Sequence, residues 1–451
     1  MVTRIEKTVS ALLFPIFCLT SIFIIVAPRV FAQNKVIATH LFPELMIAEF
    51  QNKNFPGGVS NDHKILLGSV GSDLWHGPTD SRDEFWMITD RGPNGQIKVE
   101  GKNRRTFWVP EFNPTIIKVK LEANSIRLIE SVPLVGRSGK PVTGLPNLKD
   151  VDEVPYDYTA KEVLPFNPNG LDTEGLVRTT AGDFWIADEY SPSLVHADRN
   201  GKILTRYVPE QIKLEGTDYP IVQALPAIYG KRKINRGFEG LALSSDQKTL
   251  YLVLQSPLLN PNRKVGETSR NTRVLVFDIA SEKVTAEYVY RFEVSTEFDR
   301  SRKNTPDEMK LSAVVALNPT TLLILERTDL VAKLYSVDMS GATNILGTKW
   351  DDPKTSTSLE SLADPATGEV RMLPKLLVAD LSVLAGVPEK IEGVAVLDQH
   401  TIAISNDNDF DSEESVYDQD GNNVGKGKKS HIVLISLEKP LPLTSAIVSA
   451  R

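Results

Sequence analysis

A strand–turn–strand unit recurs along this chain, and its repetition limits the folds that the chain can adopt. In the clearest copy, an apolar run follows Glu174-Gly175, a Gly-containing turn occupies residues 180–183, and a β-prone run of residues 184–187 ends at Asp188-Glu189. Similar units begin at Glu239-Gly240 and Glu392-Gly393, and weaker copies span residues 311–327 and 71–91. A hairpin repeated this often predicts a circular or stacked repeat fold.

The outer parts of the repeats identify the kind of repeat fold. Two further strands, at residues 273–278 and 284–292, follow the hairpin that begins at Glu239-Gly240. Four strands per unit are typical of a propeller blade. We therefore predict an all-β fold, a β-propeller of five to six four-stranded blades. The ring is expected to close by pairing of a strand within residues 35–50 with a C-terminal strand at residues 432–437.

The N-terminus has the features of a secretion signal. Arg4 and Lys7 precede an apolar run at residues 9–27, and Val30-Phe31-Ala32 offers small residues at a cleavage site. This pattern predicts a signal peptide at residues 1–32 and a single propeller domain at residues 33–451, exported to the periplasm or the extracellular space. An uncleaved anchor is the alternative, because the apolar run approaches the roughly 20 residues that span a bilayer.

Charge and cysteine content exclude several functions. The chain carries a formal net charge of −7, and loss of residues 1–32 makes it more negative because that segment holds three basic residues and one acidic residue. A nucleic-acid partner is therefore not expected. The only cysteine, Cys18, lies in the predicted signal peptide. The mature chain then has no disulfide, thiolate nucleophile or cysteine metal ligand.

The repeated glutamates suggest a cation site. In a propeller the innermost strand of each blade lines a central channel, so residues at equivalent repeat positions converge in space. Glu174, Glu239 and Glu392 each stand directly before a glycine and are expected to face one another. Three neighbouring carboxylates repel unless protons, an arginine or a cation neutralise them. Calcium, which accepts several hard oxygen ligands, is the predicted cofactor at the channel mouth.

A second set of charged residues follows the next strand of several units. Asp90, Asp188 and Glu189 occupy these strand ends. The candidates for binding an anionic substrate are Asp90 and three arginines, which could hold a phosphate or carboxylate: Arg91, Arg236 and Arg327. The alternative is structural, with the Glu-Gly and Asp-Arg pairs linking neighbouring blades. Sequence motifs of classical serine hydrolases, zinc proteases and P-loop proteins are absent from the chain.

Several of these motifs, taken in order, resemble one family. Asp90-Arg91-Gly92-Pro93-Asn94-Gly95, Asp172-Thr173-Glu174-Gly175-Leu176, Asn235-Arg236-Gly237-Phe238-Glu239-Gly240 and Ile391-Glu392-Gly393 are similar to the phytase-like family, also described as having the esterase-like activity of phytase. The resemblance covers residues 66–437. It implies an exported β-propeller and, by analogy with calcium-dependent propeller phytases, hydrolysis of phosphoesters or carboxylic esters.

Three functional hypotheses follow. In the first, the protein is an exported hydrolase in which Glu174, Glu239 and Glu392 hold a divalent cation, Arg91 and Arg236 bind a small anionic ester or phosphoester, and Asp188 or Glu189 acts as the base. In the second, a non-catalytic propeller binds a ligand or partner through loops at residues 96–110 and 136–169. In the third, a lactonase-like enzyme with the same cation hydrolyses a sugar-acid substrate.

Overall fold

The computed structural model describes residues 33–298, 305–355, 357–412 and 416–444. The predicted signal peptide, residues 1–32, lies outside the described residues, and the division of the chain at residue 32 stays a prediction. No helix among the described residues is long and apolar enough to cross a membrane.

The N-terminal part of the fold contains the first sheet and a small accessory sheet. Its elements are β1 (Lys35–Leu41), α1 (Ile47–Asn54), β2 (Asp73–Trp75), β3 (Glu84–Ile88), β4 (Asn94–Val99), β5 (Lys102–Phe107), β6 (Thr115–Leu121), β7 (Ile126–Pro133) and β8 (Pro155–Asp157). The first sheet has the order β2-β3-β6-β7, and β4, β5 and β8 form a separate three-stranded sheet. Residues 96–110, predicted as a loop, therefore lie mostly in the hairpin of β4 and β5. Most side chains of these two strands are polar, so the sequence shows no hydrophobic alternation there.

Four further sheets follow along the chain. The second sheet contains β9 (Thr173–Arg178), β10 (Phe184–Asp188), β11 (Ser193–Ala197), β12 (Ile203–Pro209) and β13 (Ile221–Leu225). The third contains β14 (Phe238–Leu243), β15 (Thr249–Leu254), β16 (Asn271–Asp278) and β17 (Lys283–Arg291), with α2 (Arg263–Thr268) between β15 and β16. The fourth contains β18 (Lys310–Asn318), β19 (Thr321–Arg327), β20 (Ala332–Asp338) and β21 (Lys375–Asp380).

The last sheet joins the two ends of the described chain. Its strands are β22 (Ile391–Asp398), β23 (Thr401–Asn406), β24 (His431–Ser436) and, as the outermost strand, β1. The antiparallel pairing of β1 with β24 runs from Lys35 opposite Ser436 to Leu41 opposite His431. The predicted pairing of the terminal strands is therefore present, whereas closure of a ring by this pairing stays a prediction.

Short 3-10 helices lie in the connections between these strands. Within the described residues they span Ala227–Lys231, Ser295–Phe298, Pro306–Glu308, Leu359–Ser361, Pro365–Gly368, Leu381–Val383 and Asp409–Asp411.

The core lies between the sheets, as expected for propeller blades. Each of five buried hydrophobic clusters combines residues of two successive sheets, and one of them joins the fifth sheet to the first. The innermost strands β2, β9, β14, β18 and β22 contact one another in this same order, and β2 contacts both β9 and β22. The described part of the chain is thus a β-propeller with five four-stranded blades, one of which carries β13 as an extra strand.

Glycine allows the inner strands to approach closely. A Cβ atom on Gly240 of β14 would lie 2.0 Å from the carbonyl oxygen of Ser312 in β18, and one on Gly175 of β9 would lie 2.7 Å from the backbone nitrogen of Leu241 in β14. On Gly393 of β22 it would lie 2.8 Å from the backbone nitrogen of Leu74. Each glycine that follows a repeated glutamate therefore packs against the neighbouring inner strand.

The substitution Gly240→Ala is expected to lower the free energy of unfolding by about 2–3 kcal/mol, because the new methyl group forces two backbones apart. Urea unfolding measures this change. The matched control is Gly230→Ala, where the added Cβ meets nothing within 4 Å. That control should be neutral or stabilise the protein by up to about 1 kcal/mol. Equal stability of the two variants would contradict the close packing of β14 on β18.

Candidate active site

A β-bulge occurs at each of the repeated glutamates. In β14, Phe238 pairs with Leu254 and Gly240 with Val253, so Glu239 is the extra residue. In β22, Glu392 is extra in the same way, because Ile391 pairs with Asn406 and Gly393 with Ser405. The pairing of β9 with β10 has the same irregularity around Glu174. A bulge re-aims the side chain of its extra residue, and here it brings three glutamates of different blades together.

The carboxylates form two overlapping groups. One oxygen from each of Glu174, Glu239 and Glu392 lies within 4.8 Å of the other two. The same distance limit holds for oxygens of Asp172, Glu174 and Glu189. All five residues are buried. The structure thus brings together the three glutamates proposed as metal ligands and adds Asp172 and Glu189 beside them.

These groups line a cavity of about 550 Å³ in which both charge signs are dense. The acidic lining residues are Asp90, Asp172, Glu174, Glu189, Glu239, Asp329, Glu392, Asp407 and Asp409. The basic lining residues are Arg91, Arg105, Arg236, Lys310, Arg327 and Lys390.

Burial makes four carboxylates of the cavity, Glu392, Asp172, Glu174 and Glu189, hold protons more tightly than usual. It raises the pKa of Glu392 to about 8, although Arg327 and Lys390 oppose the shift. It raises the pKa of Asp172 to about 6, opposed mainly by Arg91. The pKa values of Glu174 and Glu189 are also well above their ordinary value because of burial and the neighbouring acids. Positive charge brought into the cavity would favour the ionised forms.

Four oxygens at the cavity fit a hard cation. The buried atoms Glu189 Oε1, Glu239 Oε2, Gln255 Oε1 and Asn235 Oδ1 have no hydrogen-bond partner among the described residues. Buried polar atoms without a partner are rare and call for an explanation. Carboxylate and amide oxygens are the ligands that calcium accepts, and the chain after Cys18 offers no thiolate. The residues present therefore fit a divalent cation of the calcium type.

Arg236 is the arginine of the cavity with the fewest protein contacts. Its Nη1 atom donates a hydrogen bond to Ser256 Oγ at 2.8 Å, and no ion pair within 4.0 Å is found for it among the described residues. Burial lowers its pKa, which Glu189 opposes. Arg91, in contrast, lies 3.1 Å from Asp172 and hydrogen-bonds to Tyr190 and Asn94. Arg236 is thus the guanidinium most available to an anionic ligand.

Arg327 is engaged by side chains of the protein itself. Its Nε atom donates to Ser312 Oγ at 2.8 Å, its Nη1 atom to Asp329 at 3.1 Å, and its Nη2 atom to Glu392. Nη2 also lies 3.7 Å from Glu239. Arg327 thus holds two of the repeated glutamates in place, and because it also lines the cavity, its role in substrate binding stays a prediction.

Asp188 and Asp90 have different positions relative to the cavity. Asp188 is fully buried beside the cavity rather than in its lining. Its carboxylate accepts hydrogen bonds from the backbone of Asp172 and from the side chains of Ser193 and Arg206. Asp90 lines the cavity and accepts from Ser69 Oγ at 3.1 Å and from the Gly92 backbone at 2.7 Å. Of the two predicted bases, Glu189 is the one that lines the cavity.

Comparison with known proteins places the chain in a family. Residues 72–410 match the family described as "Phytase-like: Esterase-like activity of phytase". The chain belongs to the phytase-like family. The match covers most of the chain and includes every inner strand of the five blades, so the motifs predicted from the sequence lie within it.

Individual relatives of this phytase-like chain are distant. An uncharacterized secreted protein of Arthroderma benhamiae is 28% identical over 278 residues, which is 52% of this chain and 54% of the relative. The chain thus spans about half the length of that curated relative. Among solved structures, the WD40 repeats of RRP9 align with a TM-score of 0.35 and 10% identity, covering 84% of this chain and 96% of that one. A calcium-binding regucalcin of Agrobacterium tumefaciens aligns with a TM-score of 0.33 and 10% identity, covering 83% and 94%.

Sequence reasoning missed several residues of the site in this phytase-like chain. Lys310, Lys390, Asp172, Asp407 and Asp409 all line the cavity. Two of them had a signal in the repeat, because Asp172 and Lys390 each stand two residues before a repeated glutamate. Lys310 had no such signal, since it begins β18, whose bulge carries Ser312 rather than glutamate.

A second, mainly apolar cavity of about 110 Å³ is lined by later residues of the inner strands and by Asp73. Asp73 accepts hydrogen bonds from the backbone of Leu74 at 2.7 Å and of Leu176 at 2.8 Å. Burial raises the pKa of Asp73 to about 8. Between about pH 4 and pH 8 the folded state therefore keeps a proton on Asp73 that the unfolded chain has already released.

Because the folded state binds this extra proton, the free energy of unfolding should fall as pH rises through that window. One proton contributes a slope of about 1.4 kcal/mol per pH unit. Urea unfolding in EGTA at several pH values between 5 and 8 measures this slope. The free energy of unfolding of Asp73→Asn should fall less steeply with pH than that of wild type, by up to that amount. Asp338→Asn is the control, because hydrogen bonds from Ser340 lower the pKa of Asp338 and place its titration below the window. Identical slopes in wild type and Asp73→Asn would contradict a protonated Asp73.

Proposed function

We propose that this protein is an exported hydrolase of small anionic phosphoesters or carboxylic esters that requires a divalent cation, with calcium as the natural candidate. One observation carries the proposal: two buried carboxylate groups and an available arginine line the same cavity. The secreted relative supports export, and membership in the phytase-like family supports ester hydrolysis. A fold alone does not fix chemistry, so the residues of the cavity carry the argument.

Glu174, Glu239 and Glu392 would hold the cation. Their charges are partly balanced by Arg327, which fixes Glu392 and Glu239 in position. A bound divalent cation would supply Lewis-acid stabilisation of charge that develops on a phosphoryl or acyl oxygen. Serine at position 312 of β18 leaves that blade without a fourth carboxylate, and its hydroxyl donates to Glu239 at 3.2 Å.

Arg236 and Arg91 would orient the anionic substrate. The guanidinium of Arg236 keeps donors that no carboxylate among the described residues occupies, and a planar fork of donors suits a phosphate or carboxylate. Arg91 lines the same cavity, 3.1 Å from Asp172. Asp90 would position the Gly92 turn beside Arg91 through its hydrogen bond to the Gly92 backbone.

Glu189 would act as the base. It lines the cavity, its Oε1 atom has no partner among the described residues, and it lies next to both the acidic group and Arg236. Positive charge bound beside Glu189 would favour its ionised form, which is the form that can take a proton from an attacking water. We assign no base role to Asp188, because its oxygens are occupied by Arg206, Ser193 and backbone amides.

The test is a turnover panel of chromogenic phosphate esters, chromogenic carboxylic esters and lactones, measured with calcium and with excess EGTA. We expect turnover of an ester that depends on calcium and returns when calcium is restored. Calcium-dependent turnover of lactones alone would indicate the lactonase-like alternative. Calcium-dependent stabilisation without turnover of any substrate in the panel would indicate a binding protein instead of an enzyme.

A further inference from the structure

The two carboxylate groups of the cavity share one member. Glu174 contributes an oxygen both to the group with Glu239 and Glu392 and to the group with Asp172 and Glu189. Within each group the ligand oxygens lie within 4.8 Å of one another. A carboxylate has two oxygens and can serve two cations at once. The geometry therefore offers two adjacent positions, joined at Glu174.

Each group also contains an oxygen that the protein leaves without a partner. Glu239 Oε2 belongs to the first group and Glu189 Oε1 to the second, and neither has a hydrogen-bond partner among the described residues. Glu239 is 3% exposed and Glu189 is 2% exposed. Water does not readily compensate a carboxylate oxygen at such depth. The unpartnered oxygens thus point to a ligand in both positions.

We propose that the cavity binds two divalent cations, one held by Glu174, Glu239 and Glu392 and the other by Asp172, Glu174 and Glu189, with Glu174 bridging them. The inference rests on the proposed function, which requires only the first cation. It adds a second cation position, in which Glu189 would bind the cation through Oε1 and keep its other oxygen for the role of base.

Equilibrium dialysis of EGTA-treated protein against calcium, with metal analysis of both compartments, tests the proposal. We expect wild type to bind two equivalents and Glu189→Gln and Glu392→Gln to bind one each. Glu174→Gln should weaken both sites by about tenfold or more. The matched control is Glu130→Gln, an exposed residue that lies outside the cavity lining and outside both groups, and it should bind two equivalents.

A thermal unfolding series shows that the variants are folded. In EGTA Glu174→Gln and Glu189→Gln should be at least as stable as wild type, because each loses a carboxyl group that its acidic neighbours disfavour in the ionised form. Glu392→Gln should be less stable, because it removes an ion-pair partner of the buried Arg327. The calcium-induced rise in Tm should be smaller in all three variants. If wild type binds one equivalent of calcium and Glu189→Gln still binds one, the second site is overturned and the proposed function stands. No bound calcium would overturn both, and two equivalents retained by Glu189→Gln would overturn the assignment of the second site.

Discussion

The substitution Glu239→Gln is expected to lower kcat/KM for the calcium-dependent ester by about 10²–10³-fold. Removing one electrostatic contact to a developing charge typically has an effect of this size, and Glu239 supplies a buried oxygen that has no hydrogen-bond partner among the described residues. The neutral amide keeps the shape of the side chain but removes its charge. Steady-state kinetics at saturating calcium measures the loss.

The control for this prediction is Glu130→Gln, which makes the same chemical change at an exposed residue. Glu130 lies outside the cavity lining and outside both carboxylate groups, so we expect kcat/KM within about threefold of wild type. Full turnover in Glu239→Gln would remove Glu239 from the catalytic site. An equal loss in both variants would indicate a general charge effect.

The substitution Arg206→Leu is expected to lower the free energy of unfolding by about 3–5 kcal/mol. Removing one partner of a buried ion pair leaves the other charge without compensation. Arg206 is fully buried and contacts Asp188, Ser193 and the backbone oxygens of Gly170 and Tyr190. These contacts fix the segments that carry Asp172 and Glu189. Urea unfolding in the presence of calcium measures the effect.

Arg82→Leu is the matched control, because Arg82 forms an ion pair with Asp398 at the surface. An exposed pair contributes about 0–1 kcal/mol. The double variant Asp188→Asn, Arg206→Leu should recover part of the stability, because the uncompensated charge is gone. If Arg206→Leu is no more destabilising than Arg82→Leu, the buried network does not anchor the site.

The hairpin repeat was enough to predict the fold because it depends on local patterns. The predicted strand at residues 184–187 is β10, and the predicted C-terminal strand pairs with β1. The Glu-Gly pattern also identified the carboxylates that meet, since a glycine at each position allows the close approach of inner strands. Patterns that repeat along the chain thus carried information on both blade packing and the site.

Features that depend on neighbouring blades were not visible in the sequence. Asp188 and Glu189 are adjacent, but successive side chains of a strand point to opposite sides. Only the structure shows that Asp188 is the one of the two that forms an ion pair with Arg206. Arg327 is the last residue of β19, and Arg91 stands shortly after β3, so the two arginines have similar places in their repeats. Arg327, however, donates hydrogen bonds to Ser312 and Glu392, which belong to other strands. Such contacts are set by residues far apart in the chain.

The most direct test of a cation among the repeated glutamates is a crystal structure of the protein soaked in calcium, with anomalous difference maps. We expect a peak at about 2.3–2.6 Å from carboxylate oxygens of Glu174, Glu239 and Glu392, the range of calcium–oxygen bonds. A cavity without an anomalous peak, in crystals whose calcium binds elsewhere or not at all, would contradict the account.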